Sequence, residues 1–317
     1  MQAQGILIRA ARARGYDATD RSQELGQSVL QLQRGNRSCW IIDGHISSGS
    51  DLAHSLLARH KHSFKTLVAP LGIPVPDGIL LDVADFDGGA ERSDAWLKAS
   101  QFMQRGISYV VKPAYMGQGK AIATVGNFDA LADHVESWSD THQSFVVEEK
   151  LSGETLDLLV LQGRIIAARQ MGNLYLTGDG QHSLEELIEA HNAQHDQRFT
   201  IEINAAVRQL LRDQQAYLGE VVPAGNRVLL SQDAPSQADK GLLDSLHADL
   251  HTWAATIAQQ FQLPLIQLGL LVKDPAAMPT GQAYVIKCDP NPEWMVFAQD
   301  ESAALELADM LVAALLA

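Results

Sequence analysis

The segment 109–125 constrains the fold more strongly than any other part of the chain. Two short apolar runs lie on either side of a loop that contains Gly117 and Gly119. Lys112 precedes this loop and Lys120 ends it. The pattern predicts a strand, a glycine-bearing turn and a second strand. Glycines let backbone N–H groups approach an anion and lysines add positive charge, so one interpretation is a phosphate-binding loop. An ordinary hairpin with a flexible tip is the alternative, because short glycine motifs match freely.

Charge limits the partners that the chain can bind. Its 317 residues carry a formal charge of −14, whereas nucleic acids and anionic membranes require a basic face. We therefore expect neither partner, and any bound polyanion needs a local basic pocket. The longest nearly apolar stretch is too short to span a bilayer, and the N-terminus lacks the apolar run of a secretory signal. We expect a cytoplasmic protein in which Cys39 and Cys288, far apart in sequence, are reduced core residues.

Patterns of apolar residues divide the chain into three parts. Residues 1–60 predict a helix, a hairpin and a second helix, which together form a small α/β unit. Residues of about 100–150 predict a strand, a loop, a strand, a helix and a strand, as in a small α+β lid. The remainder, 151–317, predicts a core with two adjacent apolar strands. Within the core we expect a polar loop over 231–241 and one long amphipathic helix over 242–261.

Several segments in this order resemble the ATP-grasp superfamily, and most closely the ATP-grasp region of cyanophycin synthetases and fused bifunctional glutathione synthetases. The segments are KHSFKTLVAPLGIPVPDG (61–78), YVVKPAYMGQGK (109–120), VVEEKLSGE (146–154), LLVLQGRIIAA (158–168) and GDGQHSLEELIEAHN (178–192). The last two are similar to the family pattern without a gap and are the most specific. The resemblance implies an α+β ATP-grasp fold, in which two α+β lobes clamp a nucleotide. The short N-terminal α/β unit would then precede an ATP-grasp region over 61–317.

The resemblance also implies an activity. ATP-grasp enzymes phosphorylate a carboxylate with ATP, and an amine or thiol then attacks the acylphosphate. The chain would accordingly bind ATP and act on an amino acid or a short peptide. A partner enzyme or a second copy of the chain stays open.

The resemblance assigns roles to individual residues. Residues implied to contact the ATP phosphates are Lys112, Gly117, Gly119 and Lys120, with Lys61 or Lys65 as a second phosphate cation unless these are ordinary surface lysines. The segment Val147, Glu148 and Glu149 would contact the adenine. Glu154 lies one residue from the usual position of a ribose-binding acid.

The positions that should hold Mg²⁺ depart from the family pattern. The family supplies an acid on one core strand and a Glu-x-Asn on the next, because Mg²⁺ requires hard oxygen ligands. Here Leu271 stands at the position of the acid, Lys287 at that of the glutamate and Asp289 at that of the asparagine. The ungapped match also places Asp157 where the family has an arginine.

These departures leave alternatives open for Lys287 and for the metal. Lys287 would act in catalysis if its ammonium supplied the charge of the metal, whereas a lysine paired with a nearby acid at a strand end is the structural alternative. Mg²⁺ could also bind through shifted oxygen ligands that include Asp289 and Asn291. Two functions therefore remain. The first is an ATP-dependent ligase, and the second is a catalytically degenerate ATP-grasp protein that binds nucleotide or peptide as a scaffold or regulatory partner.

Overall fold

The structure is a computed structural model that describes residues 3–46, 52–83, 94–104, 106–115, 121–194, 200–235, 240–277 and 281–316. The helices are α1 (Ala3–Ala13), α2 (Ser22–Leu25), α3 (Leu52–Arg59), α4 (Lys61–Val68), α5 (Asp94–Phe102), α6 (Phe128–Trp138), α7 (Leu184–Gln194), α8 (Ala205–Asp213), α9 (Lys240–Ser245), α10 (Ala248–Phe261) and α11 (Glu301–Leu315). The strands are β1 (Asp17–Asp20), β2 (Val29–Arg34), β3 (Arg37–Ile42), β4 (His45–Ile46), β5 (Gly78–Asp82), β6 (Tyr109–Pro113), β7 (Ala123–Val125), β8 (Ser144–Glu149), β9 (Glu154–Leu161), β10 (Arg164–Thr177), β11 (Arg227–Pro235), β12 (Leu265–Val272) and β13 (Ala283–Asp289).

The N-terminal unit is a four-stranded antiparallel sheet, ordered β1-β2-β3-β4, with α1 beside it. Leu7 of α1 and Leu30 of β2 belong to an apolar cluster that continues into α11 and one face of the core sheet. Arg14 of α1 donates to both carboxylate oxygens of Asp309 on α11, at 2.5 and 2.6 Å. The unit is thus joined to the core through a shared apolar interior.

The lid is a second four-stranded sheet, ordered β5-β8-β6-β7 and covered on one face by α5 and α6. Side chains alternate between the faces of a strand, so Val111 and Val147 lie in the lid's own apolar cluster. Lys112 and Glu148, the next residue along each strand, must point away from that cluster. The sequence of the lid therefore produces one apolar face and one charged face.

The core sheet has five antiparallel strands in the order β11-β10-β9-β12-β13. One face packs against α3, α4 and α10, with Phe64 and Phe261 fully buried there. The opposite face packs against α11 and the N-terminal unit near one end of the strands. Arg169, Asp157 and Lys287 lie farther along the strands of this sheet.

Two predictions about core elements are wrong. The helix expected over 242–261 is divided into α9 and α10, because His247 is extended and its ring accepts a hydrogen bond from the Asp249 N–H at 3.2 Å. The backbone N–H of His247 also donates to Pro275 O at 3.0 Å, outside any helix. The loop expected over 231–241 begins as strand, since β11 continues to Pro235 and pairs with the long strand β10.

Two other predictions can be compared with the described residues. Cys39 and Cys288 are both free and buried, as expected, and burial raises the pKa of Cys39 to about 11. Every described helix is too short or too polar to cross a bilayer.

Candidate functional site

Three lysines lie close together between the lid and α4, and two of them share one carboxylate. We call Lys61, Lys65, Lys112 and Glu148 the lysine cluster. On the charged face of the lid, Lys112 Nζ lies 2.7 Å from a carboxylate oxygen of Glu148. Lys65, from the buried side of α4, pairs with the other oxygen of the same carboxylate. Both lysines and Glu148 are less than a tenth exposed, so these charges are held out of water.

A glycine on the neighbouring strand makes room for this carboxylate. Gly78 of β5 pairs with Glu148 of β8, and a Cβ added at Gly78 would lie 2.7 Å from Glu148 Cγ. Any larger residue at this position would displace Glu148, because real Cβ atoms do not approach carbon so closely. The "VPxG" turn that the sequence shows at 75–78 therefore ends on a residue that shapes the site.

Lys61 connects α4 to the end of β6. It is the first residue of α4, and its ammonium donates to the carbonyl oxygens of Pro113 at 2.8 Å and Tyr115 at 3.1 Å. Its backbone N–H donates to Ala114 O at 2.8 Å. These bonds hold Lys61 beside the last described residues before the glycine-containing segment.

Burial and mutual repulsion destabilise the charged forms of the three lysines. Burial, assisted by the charge of Lys287, lowers the pKa of Lys61 to about 8. The pKa of Lys112 falls to about 7, mainly through burial and then through Lys61 and Lys287. Burial and the charges of Lys112 and Lys61 also lower the pKa of Lys65, although the Glu148 carboxylate acts in the opposite direction. The site therefore holds more positive charge than one carboxylate can stabilise.

A row of residues across the core sheet forms the second part of the site. We call Arg169, Asp157, Gly269 and Lys287 the cross-sheet row, because each lies opposite the next on β10, β9, β12 and β13. Arg169 donates to one oxygen of Asp157 at 3.2 and 2.9 Å, and Lys287 Nζ lies 3.4 Å from the other. Asp157 is fully buried, whereas the Lys287 side chain is 42% exposed.

The two parts of the site act as one electrostatic unit. Lys287 contributes to the lowered pKa values of both Lys61 and Lys112, so its ammonium is close enough to repel them. Together the lysine cluster and the cross-sheet row contain five cations and two carboxylates. This formal excess of three positive charges, which the lowered pKa values of the lysines reduce in the free protein, contrasts with the formal charge of −14 of the whole chain. An anion with several charges is the chemical partner that the arrangement fits.

The predicted phosphate residues have different outcomes. Lys61 is bonded to the end of the strand that carries Lys112, and Lys65 is buried against Glu148 rather than lying on the surface. Contact of these lysines with ATP phosphates stays a prediction. Gly117, Gly119 and Lys120 lie outside the described residues.

The residues assigned to adenine and ribose stay predictions. Val147 is buried in the lid cluster and Glu149 is half-buried at the end of β8, while Glu148 uses its carboxylate for Lys65 and Lys112. Glu154 begins β9 and accepts a hydrogen bond from the Gln170 amide.

The predicted metal residues do not make a complete ligand set. Asp289 Oδ1 accepts a hydrogen bond from the Asn291 backbone N–H at 2.9 Å. Among the described residues, no group of three or more Asp, Glu, His or Cys side chains could hold a metal ion. Leu271 pairs with Tyr284 in the β12–β13 ladder and offers no ligand atom. A role of Asp289 and Asn291 in metal binding stays a prediction.

The structure identifies site residues that the sequence interpretation missed. Lys287 pairs with the carboxylate of Asp157 on β9. The structural alternative had instead placed its acidic partner near the end of the strand that carries Lys287. Arg169 was not predicted at all. It lies on the neighbouring strand β10 and donates to the carboxylate of Asp157.

Comparisons with known proteins agree with this architecture. No protein-family model matches the chain. It is 27% identical over 192 residues to a glutathione biosynthesis bifunctional protein of Listeria innocua, covering 59% of this chain and 23% of the relative. It is 28% identical over 158 residues to a cyanophycin synthetase of Geminocystis herdmanii, covering 49% and 17%. The crystal structure of a bifunctional glutathione synthetase from Pasteurella multocida superposes with a TM-score of 0.64 at 17% identity, over 98% of this chain and 44% of that one.

The chain has an ATP-grasp fold. Its structural match to the Pasteurella protein includes the N-terminal unit, the lid and the core. This ATP-grasp chain nevertheless spans about a quarter or less of the length of the curated relatives it matches.

Proposed function

We propose that this ATP-grasp chain binds ATP between the lid and the core sheet, with the triphosphate on the lysine cluster. The observation that carries the proposal is that Lys65 and Lys112 share the single carboxylate of Glu148, while Lys61, held by Pro113 O and Tyr115 O, adds a third charge that lowers the pKa of both. Placing like charges together in a buried site is unfavourable unless an anion offsets them. A triphosphate supplies several negative oxygens at the spacing of such a cluster, and each bond to a lysine is charge-assisted.

Electrostatics also explains why the site would be largely formed before ATP binds. Glu148 holds Lys65 and Lys112 in position and lowers their mutual repulsion. Lys61 is held by two carbonyl oxygens of the β6 segment. Lysine side chains lose considerable rotamer entropy when they are fixed, so prior positioning favours binding.

For the reaction, we propose an ATP-dependent ligation. The similar proteins are named for glutathione biosynthesis and for cyanophycin synthesis. In such a reaction the γ-phosphoryl group of ATP moves to a substrate carboxylate, and an amine or thiol displaces phosphate from the acylphosphate. Lys112 and Lys61 would hold the phosphates, and an amino acid or short peptide would supply the carboxylate. Their ammonium groups would stabilise negative charge as the phosphoryl group transfers.

A second candidate function is nucleotide binding without catalysis, as a scaffold or regulatory partner. The cross-sheet row favours it, because Lys287 and Leu271 stand at positions that the family fills with metal ligands. A wall with a salt-bridged lysine and a leucine supplies no oxygen ligand to a metal that would neutralise charge on the transferring group.

Calorimetric titration tests the nucleotide site. We expect ATP to bind, and Lys112→Met to weaken binding by about ten- to a hundredfold, because it removes a bond to a charged group. Lys98→Met on the exposed surface of α5 removes the same charge elsewhere and should leave affinity unchanged. Circular dichroism checks that both variants fold. Equal affinity in the two variants would remove the lysine cluster from the site.

Product analysis separates the two functions. ADP release is measured with ATP and a panel of amino acids and short peptides, in the presence of Mg²⁺. Release that depends on one acceptor and disappears in Lys112→Met supports the ligase. ATP binding without ADP release from any acceptor supports the non-catalytic function.

A further inference from the structure

The ammonium of Lys287 places a positive charge at one side of the proposed site. Its side chain lies flat across β12, over Gly269, which is its partner in the β12–β13 ladder. A Cβ at Gly269 would lie 2.4 Å from Lys287 Cε and 2.6 Å from its Cγ. The whole aliphatic stem therefore depends on the absence of a side chain at residue 269. This path brings the ammonium from β13 to Asp157 on β9, two strands away.

Asp157 holds this ammonium through an ion pair, although the oxygen that faces Lys287 makes no hydrogen bond. Arg169 contacts one of its oxygens and Lys287 the other, and the carboxylate is completely buried. The guanidinium of Arg169 lies over the Phe297 ring, 5.1 Å from its centroid, which fixes it from the other side. Two cations on one carboxylate leave a net positive charge. The Lys287 side chain, which is 42% exposed, carries this charge at the proposed site.

We propose that the chain binds ATP without a divalent cation, and that the ammonium of Lys287 supplies the positive charge that a metal ion would otherwise place beside the phosphates. The proposal rests on the proposed ATP site and specifies its cation. Two geometric observations support it: Gly269 makes a groove for the stem of Lys287, and the ammonium lies 3.4 Å from Asp157 across the core sheet. The charge of Lys287 also lowers the pKa of Lys61 and of Lys112.

Titrations of the full chain with ATP, in EDTA and in excess Mg²⁺, test this proposal. We expect the two dissociation constants to agree within about threefold, because charge in the site does not come from the metal. Binding that requires Mg²⁺ would overturn the inference and leave the ATP site standing. Absence of binding under both conditions would instead reject the proposed function, so the two failures are distinguishable.

Lys287→Met tests whether this lysine is responsible. Methionine retains an unbranched stem that can lie across Gly269 and removes only the charge. In EDTA we expect ATP affinity to fall at least about tenfold relative to the matched exposed-site variant Lys98→Met, because a cation close to the phosphates is lost. Affinity equal to that of Lys98→Met would overturn the role of Lys287.

Charge reversal provides a second variant. Lys287→Glu introduces an oxygen ligand and removes the ammonium, so we expect ATP binding in EDTA to weaken at least about tenfold and to recover partly when Mg²⁺ is added. Lys98→Glu is the control for net charge. If Lys287→Glu binds ATP in EDTA as well as Lys98→Glu does, the inference is rejected. Circular dichroism and thermal melts establish that each variant is folded.

Discussion

Glu148 is the residue on which the charge balance of the site depends. It lies between Lys65 and Lys112 and is nearly inaccessible to water, so it keeps two ammonium groups together that would otherwise repel each other. A buried pair that loses one partner leaves an uncompensated charge, which is far more costly than losing a surface pair. The same carboxylate cannot neutralise both lysines, and the remaining positive charge would favour an anion at the proposed site.

The lowered pKa values of Lys112 and Lys61 predict that ATP binding depends on pH. In the free protein these values are about 7 and about 8, and a triphosphate beside the lysines would raise both by stabilising their charged forms. The complex then holds more protons than the free protein between pH 7 and 9. Because binding takes up protons in this window, affinity must fall as pH rises through it. We expect the dissociation constant of ATP to increase at least about tenfold from pH 7 to 9.

Calorimetry in buffers of different ionisation enthalpy measures this proton uptake directly. Lys112→Arg keeps its charge throughout the range, so it should reduce the uptake and flatten the pH profile. Lys98→Arg is the matched control on an exposed helix and should behave like the unchanged chain. A dissociation constant that stays constant from pH 7 to 9, without proton uptake, would contradict the assignment of these two lysines to the ATP site.

The site residues that the sequence predicted belong to recognisable local motifs. Those that it missed depend on contacts between separate strands. Lys112 precedes a glycine loop, and Lys61 belongs to an ordered motif, so both could be predicted. The pairing of Asp157 with Arg169 depends on a register shift in the β9–β10 hairpin, between Ile165 and Ala167. A regular hairpin would place Ala168 opposite Asp157. Sequence periodicity does not reveal such a bulge, and therefore the buried ion pair could not be read from it.

Among the secondary-structure elements, apolar runs predicted two core strands correctly. Helical spacing, in contrast, did not predict where one helix ends and the next begins. The strands β12 and β13 were expected from two predominantly apolar runs and are present. Leu243, Leu246 and Leu250 keep a helical spacing across the junction of α9 and α10, so periodicity alone indicated one helix. The break comes from the capping interaction of His247 and its bond to Pro275 O, and a contact with a distant loop has no local sequence signal.

Pairing of β12 with β13 predicts a specific sensitivity at Gly269. Gly269→Ala would place a methyl group 2.4–3.0 Å from three stem carbons of Lys287, so that the side chain must leave its path across the strand. We expect the free energy of unfolding, measured by urea denaturation, to fall by about 1–3 kcal/mol, the usual cost of overpacking. The Lys287–Asp157 contact would be lost as well.

A double-mutant cycle separates this collision from a general effect of alanine in a strand. All three nearest atoms at Gly269 belong to Lys287, so Gly269→Ala in a Lys287→Ala background should cost at least about 1 kcal/mol less than in the unchanged chain. Gly172→Ala on β10 is a control, because nothing lies within 4 Å of a Cβ there. Equal costs in both backgrounds would mean that the stem of Lys287 does not lie over residue 269.

In the whole molecule, the N-terminal unit and the lid are attached to the core in different ways. The N-terminal unit shares an apolar cluster with α11 and the core sheet, supplemented by ion pairs from Arg9 to Glu301 and from Arg14 to Asp309. The lid has a separate apolar cluster, and the buried ion pair between Lys65 and Glu148 links it to α4. Apolar contacts therefore join the N-terminal unit to the core, whereas a buried ion pair in the site links the lid to α4.

This difference predicts how a core substitution propagates. Leu7 of α1 is 1% exposed in the shared apolar cluster, so Leu7→Ala should lower the free energy of unfolding by about 2–5 kcal/mol. Hydrogen exchange should show loss of amide protection both in β2–β3 and in β9–β12, because a single apolar interior supports both sheets. Leu131→Ala, equally buried in the lid cluster, is the matched control and should reduce protection in β6–β8 instead. If Leu7→Ala affects only residues 3–46, the N-terminal unit is an independent folding unit and the shared interior does not couple it to the site.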